Sequence, residues 1–120
     1  MIAIFTKSTD ESTDGVLFWL NYLKSDYNRI NLDTDRVLDY YLDLESKIIS
    51  IVFTNGTIFD LSNFSTYWYR RGELQFQNPK VRRNFQESLD ICLAHESRIL
   101  NDHFFRTLES SCIGIGSNLF

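Results

Sequence analysis

Short apolar runs separated by polar loops open the chain. "IAIF" (2–5) is a continuous apolar run of strand length, the pattern of a central strand buried on both faces. The polar loop "TKSTDESTD" (6–14) follows and is rich in residues that cap helices. Within "GVLFWLNYLKS" (15–25), Val16, Leu17, Leu20 and Leu23 recur at helical spacing. They predict a helix capped by Ser12 or Thr13, with Asp14 at its positive end. "NRINLD" (28–33) reads as a second strand. Strand, loop, helix and strand in about 30 residues suit a βαβ unit, which makes the two strands parallel.

The rhythm then changes. "DYYLDLES" (39–46) alternates, and the β-rich runs "KIISIVFT" and "TIFDLSNF" flank Asn55-Gly56. That pair predicts a type I′ hairpin, which needs positive φ at both positions. Residues 39–62 are thus expected to form an antiparallel meander, and "TYWYRR" (66–71) a strand returning to the parallel sheet. Asn78 as cap and Pro79 at the first helical position open the last element. Val81, Phe85, Leu89, Cys92, Ile99, Leu100, Phe104 and Leu108 mark its apolar stripe, giving one long helix from 80 to about 110. The expected class is α/β: a small, Rossmann-like parallel sheet extended by an antiparallel meander, with a long C-terminal helix. In "SSCIGIGSNLF" apolar residues lie among Gly and Ser, and 111–120 reads as the start of a linker to a further domain.

Composition narrows the function. With 120 residues, 43% apolar and 15% aromatic, the chain can bury one core. A net charge of −4 argues against a nucleic-acid partner. No apolar stretch approaches the roughly 20 residues of a membrane span, and the N-terminus lacks a signal peptide's basic region. Cys92 and Cys112 form no CxxC pair and read as reduced thiols of a cytoplasmic protein.

Against this acidic background, Arg70, Arg71, Lys80, Arg82 and Arg83 cluster in a short stretch. They are either solvated surface charge or an anion clamp. Arg82 and Arg83 fall in the first turn of the long helix, where the dipole disfavours a cation by about 0.3–1 kcal/mol. Arg70 and Arg71 end a strand, at the sheet edge where open α/β folds bind ligands. These four arginines are the candidate ligands for a carboxylate or phosphate. Glu96 falls on the apolar stripe, where a carboxylate needs a partner. A buried pair with Arg70 or Arg71, locking strand to helix, is expected before any catalytic role. Alternate strand residues face opposite ways, so only one arginine can reach it. Trp68 and Tyr69 are read as structural anchors. His95 and His103 are eight apart, about 12 Å along a helix, which is not the spacing of a zinc helix. No glycine-rich phosphate loop and no nucleophile–base set occurs. No catalytic residue and no metal ligand is assigned.

The order of elements and one motif converge on a family. "IAIFTKSTDESTDGVLFWLNYL", then "YNRINLD", then "IISIVFTNGTIFDLSNFSTYWYRR", then a long helix holding "LAHESRIL" resembles the N-terminal, pre-ATP-grasp domain of ATP-grasp peptide maturases. These are the graspetide or microviridin-type ligases of ribosomal precursor peptides, including the grasp-with-spasm subgroup; "WYRR" at 68–71 is the most specific match. The resemblance implies a parent protein that uses ATP and Mg²⁺ to activate an Asp or Glu carboxyl of a precursor peptide. A Ser, Thr or Lys side chain then attacks, giving an ester or amide. The phosphate-binding lysines and metal carboxylates belong to domains beyond this stretch, so residues 1–120 are expected to hold no cofactor and to be inactive alone. The expected partners are the precursor peptide and the ATP-grasp domain. The alternatives are a stand-alone module that binds an acidic peptide or protein, and a homodimer-forming domain whose aromatic surface closes the interface.

Overall fold

The computed structural model describes residues 1–43, 45–77 and 83–115, without the side chains of Arg83, Asn84 and Ile115. In chain order the elements are β1 (Ile2–Thr6), α1 (Glu11–Tyr22), β2 (Tyr27–Asn31), β3 (Val37–Asp43), β4 (Ile48–Phe53) and β5 (Ile58–Asp60). After a 3-10 turn at Leu61–Asn63 come β6 (Thr66–Tyr69), α2 (Arg83–Ser111) and β7 (Ile113–Ile115). Two sheets result. One is parallel, in the order β2-β1-β6-β7, and the other is antiparallel, in the order β3-β4-β5. This is the expected α/β architecture, with 2–5 at the centre of the parallel sheet.

Strand β1 is central because both of its faces are apolar enough to bury. Ala3 and Phe5 point into the main core, while Ile4 and Thr6 are buried on the opposite face. α1 covers that second face, where the Thr13 and Thr6 hydroxyl oxygens lie 3.3 Å apart. On the first face, the Phe5 ring meets Phe59 of β5 and Phe104 and Phe105 of α2 at centroid distances of 5.8, 5.5 and 5.5 Å. Phe59 in turn stacks on Phe64 at 4.7 Å. One aromatic cluster therefore joins both sheets to the long helix. Such pairs add about 0.5–1.5 kcal/mol each beyond the area they bury.

Four local expectations are corrected. The cap of α1 is Asp10, which accepts from the Thr13 N–H, so the helix starts before Ser12 and Thr13. Its inward side is Thr13, Leu17 and Leu20, whereas Val16 and Leu23 are exposed. In the Asn55-Gly56 turn only Gly56 has positive φ (86°), so the hairpin is not type I′. Instead Gly56 N–H donates to Phe53 O, and the Phe53 N–H closes the loop on Thr57 O at 2.9 Å. Finally, Ile113–Ile115, expected in a linker, pair with β6 and complete the parallel sheet. Asn78, Pro79 and residues 116–120 lie outside the described residues.

The stripe of α2 is also shifted. Leu100, Phe104 and Leu108 are buried as expected, with Leu93 half-buried above them. Phe85, Cys92 and Ile99 step by seven along an adjacent face and are exposed. The helix has 29 residues, about 44 Å at 1.5 Å per residue, whereas a five-residue strand spans about 17 Å. It overhangs the sheet, so its first half finds little to cover it. Phe104→Ala should therefore cost about 3–5 kcal/mol and Phe85→Ala less than about 0.5 kcal/mol, read as shifts in denaturant midpoint. Similar losses at both positions would contradict the overhang.

Candidate functional site

The carboxyl ends of β1, β2 and β6 lie side by side, so the segments that leave them share one rim. Asp10, in the loop after β1, organises it. Its side chain is 3% exposed. It accepts from the hydroxyls of Thr6 (2.7 Å) and Thr13 (2.9 Å) and from Arg70 Nε (3.2 Å). Burial would push this carboxyl up, but the hydrogen bonds from Arg70, Thr6 and Thr13 outweigh it and hold it well below the usual carboxylate range.

Arg70 reaches Asp10 because it shares a strand face with Trp68, two residues earlier. That face carries Arg70 toward α1, with its guanidinium 5.8 Å from the centre of the half-buried Trp68 ring. Tyr67 and Tyr69 face the core: Tyr67 is buried, and Tyr69 packs edge-on against Phe105 at 4.8 Å. The N–H groups of Arg70 and Arg71 both donate to Phe5 O, at 2.8 and 3.4 Å. Gly72 then turns the chain at φ +98°, where a Cβ would come within 2.9 Å of Leu32 Cβ. The Tyr69 hydroxyl donates to Gly72 O at 2.5 Å and pins the turn. This explains the run YRRG: the aromatics anchor, Arg70 ties down the loop, and glycine alone fits the exit.

Arg71 is placed differently. It is 61% exposed and only 4.0 Å from Asp10 Oδ2, a carboxylate already held by Arg70. It lines a hollow of about 220 Å³ with Lys7, Thr9, Asp10, Glu11 and Ser12. Lys7 also borders a second hollow, of about 490 Å³, shared with Asp33, Arg36, Tyr69, Gly72 and Glu73 among others. Two acids near the rim, Asp33 and Asp14, are engaged within the fold, while Glu11 and Glu73 line the same two hollows as the cations. Ser8 donates to Asp33 through its hydroxyl and its N–H (2.7 and 2.9 Å), which lowers that carboxyl. Arg29 pairs with Asp14 and reaches Lys7 O at 3.0 Å. A rim results on which Lys7, Arg36 and Arg71 can meet an anion. A larger hollow, of about 540 Å³, lies elsewhere, between the first half of α2 and residues 73–77.

The expected pairing of Glu96 with Arg70 or Arg71 does not form. Glu96 is exposed and accepts from the Tyr40 hydroxyl at 2.9 Å. The reason is the shifted stripe: Glu96 shares the outer face of α2 with Cys92 and Ile99, so it needs no buried cation. Arg70 serves Asp10 instead, and Tyr40 titrates higher because of burial and the neighbouring Glu96. Arg82 and the side chain of Arg83 lie outside the described residues. Among the described residues, no group of three His, Cys, Asp or Glu could hold a metal ion, and no helix is long and apolar enough to cross a membrane.

No protein-family profile and no curated protein matches the chain. Solved structures do. Macrocyclase MdnB from Microcystis aeruginosa MRC superimposes with a TM-score of 0.66 at 15% identity, over 94% of this chain and 36% of that one. A Chryseobacterium gregarium RiPP-associated ATP-grasp ligase, in complex with ADP and a leader and core peptide, gives 0.57 at 18% identity, over 96% and 34%. Macrocyclase MdnC of the same Microcystis strain, bound with precursor peptide MdnA, gives 0.50 at 24% identity, over 82% and 34%. The chain thus spans about a third of the length of each, and its fold is that of a part of these macrocyclases and this ligase, as the resemblance implied.

Asp10→Ala should lose about 2–4 kcal/mol in chemical denaturation, because it strands Arg70 and uncaps α1. The sign of the pH effect follows from the lowered carboxyl. Its contribution is present above the ordinary value of 3.8 and is lost as pH falls through the still lower folded-state value. The stability of the wild type should thus fall on acidification below about pH 4 more steeply than that of Asp10→Ala. Glu96→Gln should change stability by less than about 0.5 kcal/mol; a loss of several would reinstate a buried pair.

Proposed function

We propose that this chain is the N-terminal, pre-ATP-grasp domain of a cytoplasmic ATP-dependent peptide ligase. The ligase would crosslink Asp or Glu carboxyls of a ribosomal precursor peptide to Ser, Thr or Lys side chains. The observation that carries this reading is the superposition of nearly the whole chain on a third of a macrocyclase and on a third of a RiPP-associated ATP-grasp ligase. The rim at the sheet's carboxyl edge agrees with it. Arg71, Lys7 and Arg36 can receive a carboxylate of a passing peptide. The domain's task is to position, and no chemical step is assigned to it. On this reading ATP and Mg²⁺ bind the ATP-grasp region, as the resemblance implies.

A second reading is a stand-alone module for an acidic peptide, favoured by a basic rim built wholly from these residues. Titration separates the two. Under the ligase reading, calorimetry on residues 1–120 gives no magnesium-dependent ATP binding, and an Asp-rich peptide binds only weakly, with Arg71→Ala weakening it further. Micromolar ATP binding would overturn the assignment of ATP to another region. Micromolar peptide binding would favour the stand-alone module. Because Arg71 is largely exposed, Arg71→Ala should melt within about 0.5 kcal/mol of wild type, which separates a binding defect from unfolding.

A further inference from the structure

Strand β6 has a firm edge and a loose one. On the firm side the Arg70 N–H donates to Phe5 O of β1 at 2.8 Å. On the other side lies β7, whose first two residues offer little but backbone. Ile113 is 82% exposed, and Gly114 has no side chain. The Ile113 N–H donates to Ser65 O at 3.3 Å, beyond the usual length of about 2.9–3.0 Å.

Gly114 decides whether the loose edge closes. It pairs with Tyr67, and a Cβ built on it would fall 2.0 Å from Tyr67 O and 2.7 Å from Tyr67 Cδ1. The first of these atoms is backbone and cannot turn aside. Gly114 is not among the glycines with positive φ, so the requirement is for space and not for an unusual backbone. Any side chain at 114 must push β7 off β6.

The state of β7 is carried to both of its ends. Only Cys112 separates it from the last residue of α2, and that thiol donates to Phe64 O at 3.5 Å, which makes a pivot. At the other end Ile115 is in register with Trp68, whose ring lies 5.8 Å from the Arg70 guanidinium. A movement of β7 about Cys112 therefore loosens β6 at the residues that aim Arg70 at Asp10.

We propose that β7 is a clasp. It opens from β6 while the rest of the parallel sheet stays folded, and its closure holds Arg70 in place behind the rim. Local openings of this kind start where few groups hold a strand. The clasp follows from strand geometry and does not depend on the ligase reading.

Native-state hydrogen exchange on the 120-residue chain tests it. Ser65 O meets β7 and the Arg70 N–H meets β1, so the alternation turns the Tyr67 N–H toward β7. The Tyr67 amide should exchange about a hundredfold faster than the amides of Ala3 and Phe5, and with little dependence on denaturant. Gly114→Val should erase the protection of Tyr67 and leave that of Ala3 and Phe5. It should also speed exchange of the Arg70 Nε–H about tenfold or more, whereas Ile113→Thr, at an exposed position, should change neither. Equal protection of Tyr67 and β1 in the wild type overturns the clasp. So does a Gly114→Val chain that fails to fold, since β7 would then belong to the cooperative core. A folded Gly114→Val chain that keeps Tyr67 protected overturns the role of the glycine. An unchanged Arg70 Nε–H in a chain whose β7 has opened overturns the hold on the rim.

Discussion

Strand β1 is enclosed on every side, and that constraint shapes the rest of the domain. Its edges are taken by β2 and β6, and its two faces by the aromatic cluster and by α1. Five residues thus demand two parallel partners, a helix on each face and a second sheet to complete the cluster. The Phe5 ring is where these demands meet, since it touches Phe59 of β5 and both Phe104 and Phe105 of α2. Ridges of this size leave no room for a slipped register, because moving β1 by one residue would turn Phe5 toward α1.

The same enclosure builds the rim. Parallel strands that start together end together, so the loop after β1 and the residues after β6 must meet. The loop brings Asp10 and the strand brings Arg70, and their contact is a consequence of topology. Burying Asp10 is tolerable because two hydroxyls, an N–H and a guanidinium all address it. With that carboxylate occupied, the second arginine is left at the mouth. A paired RR at the end of a strand therefore divides its work: one cation serves the fold and the other faces outward.

Much of the fold was legible in the sequence. The βαβ opening, the meander and the long helix followed from hydrophobic period together with turn and capping residues. The site was legible only in part. Arg70 and Arg71 stood out because fixed cations ended an aromatic strand, but their partner was sought on α2 and lay on the β1 loop. A helical wheel misled here: Phe85, Cys92 and Ile99 recur every seven residues and look like a core stripe that includes Glu96. The actual stripe, Leu93, Leu100, Phe104 and Leu108, is rotated from it, and only the packing on Phe5 distinguishes the two. Asp10 was readable in principle. The predicted parallel order already placed the 6–14 loop beside 70–71, and an acid three residues before Thr13 is a normal cap position. Lys7 and Arg36 carried no local signal, since the strand ends bring them to the rim from separate loops.

The rim as described requires Asp10 to be the partner of Arg70 and not of Arg71. A double-mutant cycle in chemical denaturation measures this directly, using alanine at each of the three positions. The coupling of Asp10 with Arg70 should be about 1 kcal/mol or more, and that of Asp10 with Arg71 below about 0.5 kcal/mol. Equal couplings, or none with Arg70, would contradict the division of labour between the two arginines.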